Sequence, residues 1–217
     1  MSLHLHAVVR ARHRLPDGSP FRLIEVDDLA VVVSAHHGEL TSADATAHLA
    51  ALCALLPGGP VLPLRIGTTA VDERAAVLAL RVPGLREHLE RLDGLAEMHV
   101  RLVFDEEIAL RAVFDSGAFT GGGRDPIAQG ERIAQAVGAW RGKQADTLLE
   151  PVTAMASAVA VLDAGEPASE LRAFLVSLDQ LDAVRAAVAE INGTCTGPLP
   201  AYHFLDLAPQ PTSRWGW

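Results

Sequence analysis

The sequence is poor in most residues that would announce a chemistry. Of 217 residues, two are cysteine, one is tyrosine and 5% are aromatic. Two cysteines, Cys53 and Cys195, make no disulfide framework in a chain of this size. Cys53 sits in an apolar helical pattern, where a small buried hydrophobe is expected, and nothing marks either thiol as activated. Long apolar runs are also missing. No stretch reaches the roughly 18 residues a membrane span needs, and the most apolar one, Val152 to Leu162, stops at Asp163 and Gly165. The N-terminus lacks the uninterrupted apolar segment of a secretory signal. Basic residues are few, 18 Lys and Arg against 27 Asp and Glu, for a net charge of −9. That balance argues against nucleic acid or an anionic membrane as a partner, and the simplest setting is cytoplasmic.

What is present is an ordinary globular composition, 49% hydrophobic and 21% charged, long enough for one large domain or two small ones. Leu3, Leu5 and Ala7 alternate with His4 and His6, the period of a half-buried strand. Phe21–Val26 and Leu29–Ser34 flank Asp27-Asp28 at hairpin spacing. Thr41 is a helix cap for a segment running to about Leu56, closed by Pro57-Gly58-Gly59-Pro60. Val61–Ile66 follows as an edge-type strand, residues 71 to 92 as two helical pieces broken near Pro83-Gly84, and Ala96–Phe104 as an alternating strand. This order predicts an α+β layer of modified ferredoxin-like type over residues 1–113. A Gly-rich linker occupies 114–126, and a helix-rich α/β layer 127–207, with a mobile tail at 208–217. In the second layer the helical region runs to about Leu162. A short helix, a strand at Phe174–Leu178, a helix ending at Asn192-Gly193, and an extended Thr194–Leu207 follow.

No reacting constellation stands out. Gly121-Gly122-Gly123-Arg124 lacks the spacing of a phosphate-binding loop and reads as linker. The nine histidines show no zinc-site spacing, and His4 and His6 read as solvated strand-face residues. There is no GxSxG elbow, and Asp105-Glu106-Glu107 and Asp27-Asp28 sit where solvated turns are usual. The expectation is a protein with no catalytic, metal or cofactor-binding residues.

Three stretches, in order, carry a resemblance: Val61-Leu62-Pro63-Leu64-Arg65-Ile66-Gly67-Thr68, Leu95-Ala96-Glu97-Met98-His99-Val100-Arg101-Leu102, and Thr196-Gly197-Pro198-Leu199-Pro200-Ala201-Tyr202-His203-Phe204. The chain resembles the gas vesicle proteins of the GvpL/GvpF family from about Val8 to Phe204, with Leu29–Ser34 as a weaker fourth match. Ile66 stands where that family has Phe, and Leu199 where it has Trp. The resemblance implies a non-enzymatic accessory or minor structural protein of gas vesicles, with two domains, the first modified ferredoxin-like. Its expected partners are the apolar gas vesicle shell protein and other gas vesicle accessory proteins. The expected contact surface is the first sheet (Val61–Ile66 with Ala96–Phe104). Leu64, Arg65, Glu97, Met98, Tyr202 and Phe204 are the candidate interaction residues. Packing of Tyr202 and Phe204 as aromatic anchors within the second domain is the structural reading of the last motif. The alternative function is a small-molecule-binding regulatory protein on a ferredoxin-like scaffold.

Overall fold

A computed structural model describes residues 2–36, 41–117 and 125–205. Most of the Gly-rich segment and the whole tail expected at 208–217 lie outside those residues. The fold is α+β, built on two sheets. By packing, the chain forms two units, one running from Met1 to Glu97 and resuming at Pro198, the other from Met98 to Gly197.

The first sheet has the order β2(Arg22–Val26)-β3(Leu29–His36)-β1(Ser2–Arg10)-β4(Leu62–Pro63), with β5(Thr69–Ala70) also pairing with β1. The β2–β3 hairpin turns on Asp27, whose φ of 56° is left-handed, a conformation that Asp tolerates better than most side chains. Val, Leu and Ala dominate β1 and β3, and both faces of β1 are buried. One face packs Leu3 and Leu5 with Ile24, Val31 and Val33. The other packs Ala7 and Val9 with Val32, Leu52, Leu55 and Val61. Leu52 and Leu55 come from α1(Ser42–Leu55), which lies over this second face.

β1 is therefore no half-solvated strand, and His4 and His6 are buried, 7% and 5% exposed. The pairing of β1 with β3 shifts register between Leu5 and Ala7. The bulge at His6 sets two β1 residues against one step of β3 and re-aims a side chain. Only Leu62–Pro63 of the expected Val61–Ile66 strand pairs with β1, and after Leu64 the chain turns away through Arg65–Thr68. The helical pieces after it are α2(Glu73–Ala76) and α3(Leu85–Arg91), with Gly84 left-handed between them at φ 83°.

The second sheet has the order β7(Ala156–Leu162)-β8(Ser169–Ser177)-β6(Leu95–Val103)-β9(Thr194–Leu199). Met98, Val100 and Leu102 of β6 enter the core of the second unit beside Phe174, Val176, Leu149, Val152, Val184 and Val188. β6 lies inside this sheet, paired on both sides, so Ala96–Phe104 belongs to no edge of the first sheet and has none of its own to offer. Asp105-Glu106-Glu107, read as a turn, opens α4(Glu106–Asp115). Asp105 Oδ1 accepts from the Glu107 and Ile108 amides at 2.8 and 3.1 Å, and the two glutamates sit in the positive first turn.

α5(Pro126–Leu148) and α6(Glu150–Thr153) follow, each with a proline in its first turn. The helical region ends there. Residues 156–162 form β7, whose alternating burial and β-branched Val159 and Val161 fit a pleat, and residues 169–173 are strand rather than helix. α7(Leu181–Glu190) closes at left-handed Asn192 before β9. Among the described residues, no helix is long and apolar enough to cross a membrane.

Candidate functional site

The candidate site lies in the first unit, where three short stretches converge. The first is α1, started by a capping box. Thr41 Oγ1 accepts from the Asp44 amide at 3.3 Å, while Asp44 Oδ2 accepts from the Thr41 amide at 2.7 Å. The i, i+3, i+4 spacing then puts Ala45, His48 and Leu49 on one face of the helix.

The second stretch is the turn after β4. The Leu64 amide donates to the His6 carbonyl at 2.9 Å, and the Thr68 amide and hydroxyl both donate to the Arg65 carbonyl. Gly67, at φ 85°, takes the left-handed position that closes the turn. The third is the helical turn Tyr202–Phe204 after β9. Together Ala45, His48, Leu49, Arg65, Ile66 and Tyr202 line an open concavity. Leu49, Ile66 and Tyr202 are each about two-fifths exposed, at 41%, 40% and 37%.

Tyr202 and His48 share one acceptor, the Leu64 carbonyl, at 3.3 Å from the phenol oxygen and 3.0 Å from His48 Nε2. Because a carbonyl only accepts, His48 carries its proton on Nε2, and in a neutral ring Nδ1 is then an acceptor. His6 Nδ1, 3.2 Å away, must donate to it, leaving His6 Nε2 to accept from the Ser34 hydroxyl at 2.9 Å. The chain Ser34 to His6 to His48 to Leu64 thus fixes both tautomers. Burial, then the nearby His4 and His48, hold the His6 pKa down to about 4, and burial also lowers that of His48. His4 completes the group, its ring centroid 4.4 Å from that of His6 and 5.1 Å from that of His48. Burial raises the Tyr202 phenol to about 12, so it stays a donor at any physiological pH, and it raises both cysteine thiols.

The terminal turn is anchored from below by Glu97. Its side chain is 1% exposed, and it accepts from the His203 amide at 3.0 Å and from His203 Nδ1 at 2.6 Å. Arg91 Nη2 donates to the Phe204 carbonyl at 2.7 Å. Tyr202 and Phe204 therefore return to the first unit rather than packing into the second, where the sequence reading put them.

Of the six candidate interaction residues, Arg65 and Tyr202 line the concavity, and the Leu64 carbonyl ties His48 to Tyr202. Phe204 is half-buried beside them. Glu97 is the buried anchor, and Met98 is fully buried in the other core, so neither presents surface. Sequence reasoning missed His48 and Leu49, and included Ile66 only as the end of the expected contact strand. A histidine inside the apolar stripe of α1 was the available signal.

A profile of the family described as gas vesicle synthesis protein GvpL/GvpF matches residues 3–206. The chain belongs to the GvpL/GvpF family. It is 30% identical over 240 aligned residues to gas vesicle protein F of Streptomyces sp. (strain CB03234), covering 95% of this chain and all of that one. The fold is similar to the crystal structure of GvpF from Anabaena sp. PCC7120, with a TM-score of 0.79 at 18% identity over 95% of this chain and 97% of that one. GvpF from Microcystis aeruginosa gives 0.71 at 18% identity over 94% and 98%. Membership ties this GvpL/GvpF protein to gas vesicles.

Proposed function

We propose that the protein acts in gas vesicle assembly as a non-enzymatic accessory component in the cytoplasm, binding the apolar shell protein at the concavity of its first unit. The observation that carries this reading is the convergence of Leu49, Ile66 and Tyr202, three part-exposed apolar side chains from three separate stretches, around one open depression. A strongly apolar subunit must be kept from aggregating before it is incorporated. Removing apolar surface from water at about 25 cal/mol per Å² is the available driving force. Arg65 at the rim supplies a polar edge, and the Tyr202 phenol is already satisfied by Leu64, so docking there would strand no buried polar group. Contacts with other gas vesicle accessory proteins belong to the same assembly role.

The test is complementation of a deletion strain with the full chain, wild type or carrying Leu49→Glu with Ile66→Glu, scored by electron microscopy. Wild type restores vesicles, and the double variant, expressed and folded to the same level, restores few or none. Full restoration by the double variant would refute the assignment of the surface.

A further inference from the structure

We propose that His4, His6 and His48 form a binding site for one divalent transition-metal ion of the zinc type, clipping β1 to α1. One ring nitrogen of each lies within 4.8 Å of the others, and the three residues are 7%, 5% and 4% exposed. Three imidazoles in a core are an unusual use of space, since each buries polar atoms where a leucine would bury none.

Their arrangement matches what a metal requires in three respects. First, His6 Nδ1 and His48 Nδ1 are 3.2 Å apart. Two nitrogens at about 2.05 Å from a tetrahedral zinc ion are about 3.3 Å apart, so this pair already has the bite of two ligands on one metal. Second, the far nitrogens have outer partners of the kind that orient metal-bound histidines, the Leu64 carbonyl at 3.0 Å for His48 and the Ser34 hydroxyl at 2.9 Å for His6. Third, the His6–His48 contact requires one ring nitrogen to accept, which only a neutral imidazole can do, and neutral is the form that binds metal.

Binding asks for one rearrangement in the chain of hydrogen bonds. His6 moves its proton from Nδ1 to Nε2, and the Ser34 hydroxyl turns from donor to acceptor. Both rings stay neutral and no proton is released. Alternation along β1 puts His4 and His6 on the face opposite Leu3 and Leu5, the side that α1 covers, and the bulge at His6 turns Ala7 and Val9 onto that same side. An all-nitrogen donor set with no carboxylate or thiolate suits Zn²⁺, Ni²⁺ or Cu²⁺ over Mg²⁺ or Ca²⁺. Three protein ligands leave a coordination place for water, and His48 borders the open concavity through which it would arrive.

The experiment uses the full-length, tag-free chain, stripped with a chelator and titrated with Zn²⁺. Retained metal is read by mass spectrometry after desalting, and unfolding by calorimetry. The expected result is one equivalent per chain and a melting temperature about 5–10 °C higher at a hundredfold excess over Kd. His6→Gln and His48→Gln should each abolish retention, His88→Gln, at a half-buried histidine outside the cluster, should leave it intact, and Ser34→Ala, which keeps all three ligands, should weaken binding about 10–100-fold. No retained metal, or one equivalent kept by both His6→Gln and His48→Gln, overturns the proposal. Should those variants fail to fold, Co²⁺ bound to wild type decides. Intense four- or five-coordinate visible bands without a thiolate band support the site, and the faint spectrum of six-coordinate Co²⁺ overturns it.

Discussion

Acidification should destabilise the first unit through His6, and the size of the effect follows from its surroundings. The groups that face this ring are His4 on its own strand, His48 on α1, the Ser34 hydroxyl on β3 and the edge of Phe21. None is an acid that would hold a proton on the ring. Its pKa is about 4 when folded and 6.5 when unfolded, so between those values the unfolded chain binds the extra proton. Stability is therefore complete above about pH 6.5 and falls as the pH drops toward 4.

Between pH 7 and pH 5, a single site with these two values loses about 1.8 kcal/mol, at 1.36 kcal/mol per unit. In a chain of this length that is a fall of about 4–7 °C in melting temperature. His48 and His13 are lowered as well and act in the same direction. The assay is urea denaturation followed by far-UV circular dichroism at both pH values, with chelator present, for wild type and His6→Gln. The variant is less stable at pH 7 but loses about 1.8 kcal/mol less on acidification. Equal losses in the two proteins would refute the reasoning.

Other consequences are simpler to read. Glu97→Ala leaves two His203 donors without their buried acceptor and should cost about 2–3 kcal/mol, visible as a lower urea midpoint and faster proteolysis of the C-terminal turn. Thr41→Ala removes the cap of α1 and should cost about 1 kcal/mol in the same assay, with Thr41→Ser close to wild type. Gly58→Ala would drive a methyl group into the Arg14 carbonyl oxygen and place it 2.7 Å from His13 Nε2. It should lower the melting temperature by several degrees, whereas Gly130→Ala, with open space around it, should not.

Local signals carried much of the fold. The helix cap at Thr41, the Asp27-Asp28 hairpin and the break at Gly84 are each settled by residues within a few positions, and each stands where the sequence puts it. Failures came where a tertiary partner decides. Residues 156–162 are rich in Ala, which suits a helix, but β8 offers them a full row of backbone partners and they pair as a strand. His4 and His6 look like the polar face of an alternating strand until α1 covers that face, a fact hidden by the 42 positions that separate His6 from His48. Glu97 reads as surface for the same reason, since its partner His203 is 106 residues away. The site was half legible. Arg65 and Tyr202 lie in motifs that carry the family resemblance, whereas Leu49 is an ordinary helix leucine whose exposure only the folded chain reveals.

Capture of the shell protein at one surface is measured most directly by co-expression followed by affinity purification of the full chain. The ratio of shell protein to bait is read for wild type, for Leu49→Glu with Ile66→Glu, and for Val159→Glu with Val161→Glu on β7 as a control surface in the second unit. The first pair of substitutions should cut the ratio at least tenfold while the second leaves it near wild type. Retention unchanged by the Leu49 and Ile66 substitutions would contradict capture at this surface.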